Sequence, residues 1–261
     1  LALTCFLASY FTRRYDEVRG KKFSAAKPFI VMGVLGIFLL AQPDLGSTVV
    51  LFVITFGMLF IVGANFWQFI LLIGTGILLF VWLVLSASYR LKRFTGFLEP
   101  FKDPYGTGFQ LTNSLMAFGR GEISGEGLGN SIQKLDYLPE AHTDFIMAII
   151  GEEFGFIGIL VVVILLGLLI FRAMKIGRES LMLEQRFRGF FALGISFWIF
   201  FQGFVNLGMA LGMLPTKGLT FPLVSYGGSS IIIMSATVGI LLRIDHENRL
   251  QRGGQARLSD D

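Results

Sequence analysis

The residues His142-Thr143-Asp144 stand immediately before a long apolar run. A carboxylate in that place has two readings. Thr and Asp are favoured N-caps, and a negative charge suits a helix N-terminus. Alternatively, a carboxylate at a membrane edge under an amphipathic cover is partly desolvated, which raises its pKa toward that of a working base. Asp144 could then serve as a general base. His142 reads as a hydrogen-bonding interface residue, because a lone histidine builds no metal site.

Other residues qualify as partners. Glu152 and Glu153 follow about two turns into the same apolar run, and ionisable groups at that depth face a polar cavity or a partner. Helical spacing puts Glu152 near the face of Asp144 and Glu153 nearly opposite, where interhelix hydrogen bonding is the simpler role. Asp44 follows Pro43 and precedes a second apolar run, a cap position with a carboxylate to spare. Ser225-Tyr226-Gly227-Gly228-Ser229-Ser230 opens a third. Helix N-termini carrying glycines and hydroxyls can hold anions on free N–H groups, although small residues equally serve close helix packing. Lys217 is the one charge between residues 189 and 242, and beside this turn it would suit a phosphate-bearing ligand. Ser225, Gly227, Gly228 and Ser229 are grouped with Asp44, His142 and Glu152 as cavity candidates.

The elements that must position these residues are membrane helices. Of 261 residues, 54% are hydrophobic and 15% charged, with a mean hydropathy of +0.69, against about 25% charge in soluble domains. Residues 45–89, 154–171, 189–216 and 218–242 contain no Asp, Glu, Lys or Arg. Uncharged runs of roughly 18 or more residues read as transmembrane helices. A disulfide scaffold, a zinc site and a nucleic-acid-binding domain are excluded: there is one Cys and two His, and the pI near 9.3 reports topology. The reading is an all-α polytopic membrane protein, a single transmembrane domain over 1–261. Its spans fall at about 28–43, 45–63, 66–88, 145–171, 189–212 and 224–242, and residues 1–12 form part of another whose start lies upstream. Gly63-Ala64-Asn65 supplies a hairpin between two spans.

Sidedness follows from Lys and Arg. Segments 13–27, 172–188 and 243–261 carry six, five and four, whereas the alternate connections carry seven in total. The positive-inside bias places the three basic segments and the C-terminus in the cytoplasm. Residues 89–144 then lie outside, and a connection that long usually carries function. Its aromatic and basic residues suit the headgroup layer. Residues 110–118 are expected to form a short helix lying on the membrane, with Leu111, Leu115 and Phe118 on one face. Eight glycines between Gly96 and Gly129 suggest tight turns and mobility.

Several motifs occur together in a set order. They are Gln42-Pro43-Asp44-Leu45-Gly46-Ser47, Gly119-Arg120-Gly121-Glu122, Gly127-Leu128-Gly129-Asn130-Ser131, residues 138–153, and Pro222-Leu223-Val224 leading into Ser225–Ser230. In this order they resemble the SEDS family (shape, elongation, division and sporulation) of peptidoglycan glycosyltransferases. Residues 130–144 and Leu214-Pro215-Thr216-Lys217-Gly218-Leu219-Thr220 look like its cell-division branch in Gram-negative proteobacteria rather than its elongation branch.

The resemblance implies a SEDS-type bundle of about ten helices, of which this chain is the C-terminal seven. It implies that the family's Gln-Pro-x-Glu-x-x-Lys segment lies upstream of Leu1. It further implies polymerisation of lipid II, a disaccharide-pentapeptide on undecaprenyl pyrophosphate, at the outer face of the inner membrane. Asp144 takes the place of the family's catalytic Asp, and Asp44 that of a cavity residue. Lys217 and Arg93 are the candidate cationic groups for the pyrophosphate, and a divalent cation, magnesium or manganese, would supplement them. The implied partners are a class B penicillin-binding transpeptidase and other division proteins at the septum, with no nucleic acid. Two rivals remain: a flippase for the lipid-linked precursor, which needs charges near midplane in several helices, and a non-catalytic division scaffold, for which Asp144 is dispensable.

Overall fold

Long apolar runs without charges leave the backbone no solvent partner in a bilayer, so the chain must bond within itself, and helices do this locally. The computed structural model describes residues 1–20, 26–42, 44–85, 96–215 and 218–259, and among them every regular element is helical. In order these are α1 (Ala2–Arg13), α2 (Tyr15–Gly20), α3 (Ala26–Ala41), α4 (Leu45–Val62), α5 (Phe66–Leu85), α6 (Phe109–Gly121), α7 (Ile146–Met182), α8 (Arg186–Ala210) and α9 (Gly228–Ser259). A 3₁₀ turn at Pro100–Lys102 and a π turn at Gln133–Tyr137 punctuate the long connection. Three of the helices, at Ile146–Met182, Arg186–Ala210 and Gly228–Gly253, are long and apolar enough to cross a membrane. The protein is an integral membrane protein.

The chain forms two compact units, one of residues 1–74, 168–200 and 232–261, the other of 75–167 and 201–231. In the first, Leu7, Phe11, Met58, Ile195 and Ile199 are buried. Small residues let helices approach: a Cβ at Gly57 would strike the Phe197 ring, and one at Gly194 would meet Thr4 and Met58. Asp44 caps α4, accepting the Ser47 N–H at 2.9 Å, and Gly63 ends that helix in the left-handed region at φ 78°. The turn before α5 is therefore the hairpin that Gly63-Ala64-Asn65 foretells.

Two helices run past their expected ends. α7 continues to Met182 instead of stopping near 171, and α9 continues to Ser259 where the sequence suggests a tail from 243. Opposite charges hold these extensions together. Asp245 takes both Arg172 (3.1 Å) and Arg249 (2.8 Å), Glu179 takes Arg252 (3.1 Å), and Glu247 takes Arg188 and Arg243. Between them Asn248 and Ser180 share a buried hydrogen bond at 2.9 Å.

In the second unit the long connection, from residue 96 on, packs against protein. The helix expected over 110–118 is present as α6, but it buries Leu111, Thr112, Asn113, Ser114, Ala117 and Gly121 against protein. Leu115 and Phe118 are half-buried, and Met116 is exposed. Ala117, Leu138, Ala141, Phe145, Ala148, Ile149 and Ala210 form one apolar cluster. Ser114 donates to the Ala210 carbonyl at 2.8 Å.

The expected single helix over 145–171 is broken. Gly155 has φ 66° and ψ −163°, far from helical values. The freed backbone groups pair with the connection: Glu126 and Gly127 donate to the Glu152 and Glu153 carbonyls at 3.0 Å, while Phe156 and Ile157 donate to those of Glu122 (2.9 Å) and Ile123 (3.3 Å). Irregular backbone at membrane depth survives only where protein satisfies it. A Cβ at Gly155 would collide with the Ile123 carbonyl and one at Gly125 with the Glu153 carbonyl, so both positions need glycine.

Candidate active site

The turn before α7 is built on Glu140, whose φ of 57° is left-handed. Its carbonyl receives the N–H groups of Thr143, Asp144 and Phe145 at 3.0–3.2 Å, and its carboxylate takes the Thr143 hydroxyl at 2.7 Å. Asp144 therefore lies in a turn, two residues before the helix begins at Ile146. It is half-buried. Among the described residues no donor reaches its carboxylate, so the capping role open in the sequence is not the one it fills. A Cβ placed on Gly218 would stand 3.3 Å from Asp144 Oδ2, so that flank of the carboxylate is bare backbone. Burial, reinforced by the nearby Glu140 charge, pushes the Asp144 carboxyl up to about 6.

The backbone around Asp144 is held on three consecutive carbonyls. Tyr226 N–H donates to His142 O at 2.9 Å, Ser225 Oγ donates to Thr143 O at 2.5 Å, and Asn206 Nδ2 donates to Asp144 O at 2.8 Å. Asn206, fully buried on α8, also donates to Leu219 O at 2.5 Å. One turn earlier, Gln202 donates to Thr220 O at 2.8 Å, and the Thr220 hydroxyl meets Ser230 Oγ at 3.1 Å. Ser225 also accepts the Phe221 N–H at 2.6 Å, across a tight turn with Leu223 at φ 63°.

His142, Asp144, Ser225, Gly227, Gly228 and Ser229 thus belong to one unit, the last two exposed at the start of α9. Two cavity candidates sit differently. Ser225 is 2% exposed and its hydroxyl is consumed by the backbone, so it braces the site instead of lining it. Glu152 is fully buried and saturated by Arg120 (3.1 Å), Ser131 Oγ (2.5 Å) and the Ile132 and Gln133 N–H groups, so it anchors the connection. Glu153 pairs with Lys134 at 2.6 Å, a tie within the connection. Asp44 belongs to the other unit, where it caps α4. Lys217 and Arg93 lie outside the described residues.

Sequence reasoning missed Asn206, Gln202, Arg120 and Lys134. A signal for the first two existed: amides four residues apart within the charge-free run 189–216 define a polar stripe on one helix face. As for a metal, no group of three or more His, Cys, Asp or Glu side chains gathers among the described residues. An ion here would therefore be carried mainly by substrate phosphates, as magnesium often is, and not by a cage of protein ligands.

The FtsW/RodA/SpoVE family, described as cell cycle proteins, matches residues 1–250. The probable peptidoglycan glycosyltransferase FtsW of Haemophilus influenzae is 87% identical over 261 residues, covering all of this chain and 66% of its own length. That of Pasteurella multocida is 84% identical with the same coverage. The chain spans about two thirds of the length of these relatives. A solved structure described as showing "structural coordination of polymerization and crosslinking by a peptidoglycan synthase complex" superposes with a TM-score of 0.74 at 28% identity, over 94% of this chain and 68% of the other.

Proposed function

This chain belongs to the FtsW/RodA/SpoVE family of cell cycle proteins, and from that premise we propose that it carries the catalytic base of a peptidoglycan glycosyltransferase. The substrate is lipid II, polymerised at the outer face of the inner membrane during septal division. The observation that carries this reading is Asp144: a half-buried carboxylate with no described donor, its pKa raised to about 6, in a turn fixed by its backbone. Relatives named probable peptidoglycan glycosyltransferases share most of its residues.

The chemistry follows from the bonds exchanged. The 4-hydroxyl of an acceptor GlcNAc attacks the anomeric carbon of the donor, whose bond to the undecaprenyl pyrophosphate oxygen breaks. The hydroxyl proton passes to the Asp144 carboxylate, and the pyrophosphate departs with the bonding electrons. A weak nucleophile needs a positioned base, whereas pyrophosphate needs charge neutralisation more than protonation. An α-linked donor gives a β-linked product by one inverting displacement, so one carboxylate suffices. Lys217, adjoining Gly218 in sequence, and Arg93 are the proposed pyrophosphate contacts, and a magnesium or manganese ion brought in on the substrate phosphates would supply further charge neutralisation. Asp44 is proposed as a further cavity carboxylate. The proposed partners are a class B penicillin-binding transpeptidase and other septal membrane proteins, with the C-terminus in the cytoplasm.

The test is lipid II polymerisation by the purified full-length protein. Asp144→Asn keeps size and turn geometry while removing the base, and polymerisation should fall by about 10² or more, the scale of general-base catalysis. Glycan chains formed at the wild-type rate by folded Asp144→Asn protein would overturn the assignment.

A further inference from the structure

We propose that Asn206 is the positioning residue of this site: through its side-chain amide it fixes the backbone of Asp144, and Ser225 completes the clamp. The inference rests on the reading of Asp144 as base and extends it to residues that touch no substrate.

The geometry has three parts. First, the turn itself supplies no side-chain bond to the Asp144 carboxylate, so the position of that carboxylate depends on where the backbone is held. Second, every carbonyl from residue 142 to 144 is taken by a group distant in sequence: Tyr226 N–H, Ser225 Oγ and Asn206 Nδ2. A chain gripped at three successive peptides has little freedom in φ and ψ, so the point from which the Asp144 side chain springs is held in place. Third, Asn206 uses one amide nitrogen for two carbonyls, Asp144 O at 2.8 Å and Leu219 O at 2.5 Å, and so ties the turn to the segment entering Gly227-Gly228.

Asn206 is an expensive choice for packing alone. It is fully buried in a membrane helix, and its Oδ1 has no hydrogen-bond partner. An unsatisfied buried carbonyl oxygen costs roughly what a lost hydrogen bond does. An apolar residue of similar volume would avoid that cost, but only an amide or another donor can reach both carbonyls. Gln202, one turn earlier on α8, holds the Thr220 carbonyl and hydroxyl in the same manner, so that the stripe of two amides braces residues 219–220 from one side.

The clamp acts on rate and on proton affinity. With the turn loosened, the carboxylate departs from its productive place and gains water. Desolvation is the main cause of its raised pKa, so hydration moves that pKa back down.

The experiment uses the full-length protein and lipid II, with Asn206→Ala and Asn206→Gln beside Asp144→Asn. Expected for Asn206→Ala is a kcat lower by 10- to 100-fold, a KM for lipid II within about twofold, and an acid limb of the pH profile shifted to lower pH. Asn206→Gln, which keeps the amide, should recover part of kcat. Rates are normalised to folded protein by gel filtration. An unchanged kcat and acid limb in Asn206→Ala, with Asp144→Asn inactive, overturns the clamp and spares the base. Activity retained by Asp144→Asn overturns the base itself. Should Asn206→Ala not fold, Ser225→Ala cuts the Thr143 tie together with the Phe221 N–H bond, leaves Asn206 in place, and carries the same two readouts: a lower kcat with a shifted limb supports the clamp, and neither change refutes it.

Discussion

Asp144 joins two properties that usually trade against each other, reactivity and stability. At pH 7 its carboxylate is ionised although burial and Glu140 both disfavour the charge, and no described group compensates it. Catalysis of this kind needs the ionised form, so kcat/KM should drop about tenfold per pH unit below about 6. Stability moves the other way. The folded pKa is raised above the ordinary value of 3.8, so the folded state takes up the proton first as pH falls. Stability therefore rises between about 6 and 3.8, and this gain is absent above that window. Asp144→Asn removes the desolvated charge altogether. Its thermal midpoint at pH 7 should exceed that of the wild type, and the difference should shrink as pH falls toward 4. A variant less stable than wild type at pH 7 would show that the carboxylate holds the fold together.

At the scale of elements, the break in α7 at Gly155 is what seats the long connection. Four backbone hydrogen bonds cross between 122–127 and 152–157, and Glu152 and Glu153 add ion pairs to Arg120 and Lys134. Gly155→Ala forces a side chain into a positive-φ, extended-ψ conformation that is essentially reserved for glycine, at roughly 1–3 kcal/mol, and pushes a methyl against the Ile123 carbonyl. Expected are a lower thermal midpoint and new protease cleavage within residues 120–135. Glu152→Gln should destabilise by roughly 2 kcal/mol or more, because it strips a charged hydrogen bond from Arg120 and turns an amide NH₂ toward N–H donors. Cleavage unchanged in both variants would show that the connection is held elsewhere. These features also mark where the sequence is legible. The cap at Asp44, the turn at Gly63 and helix α6 depend on neighbours within four residues, and all three are readable from the chain. The break is not, because its partners lie some 30 residues upstream, and Gly155 by itself resembles any small residue in a membrane helix. Likewise Glu152 passes for a cavity carboxylate until Ser131 and Arg120 are folded onto it. Asp144 stood out by position; its clamp did not, since Asn206 and Ser225 are 62 and 81 residues away.

At the scale of the molecule, the remaining matter is which way the chain faces. Beyond its break at Gly155, α7 runs on to Met182, roughly 40 Å of helix at 1.5 Å per residue, against a hydrocarbon core of about 30 Å. It therefore projects beyond the core, and its far end carries Arg172, Lys175 and Arg178. Arg172 meets Asp245 there, and Glu179 meets Arg252. Ion pairs of this kind belong in water or headgroups rather than in lipid tails. The basic end should face the cytoplasm, so the Asp144 end of α7 should face outward, where lipid-linked sugars are polymerised. Single cysteines test this in otherwise Cys-free full-length protein. Lys102 has an exposed side chain in the outer connection, and Lys175 is exposed at the basic end. In intact cells Lys102→Cys should react with a membrane-impermeant thiol reagent and Lys175→Cys should react only after lysis. Lys134 is unsuitable as a probe, because its ammonium is bound to Glu153 and its loss would loosen the connection. Labelling of Lys175→Cys but not Lys102→Cys in intact cells would invert the topology. Asp144 would then lie on the cytoplasmic side, where outer-face polymerisation could not occur.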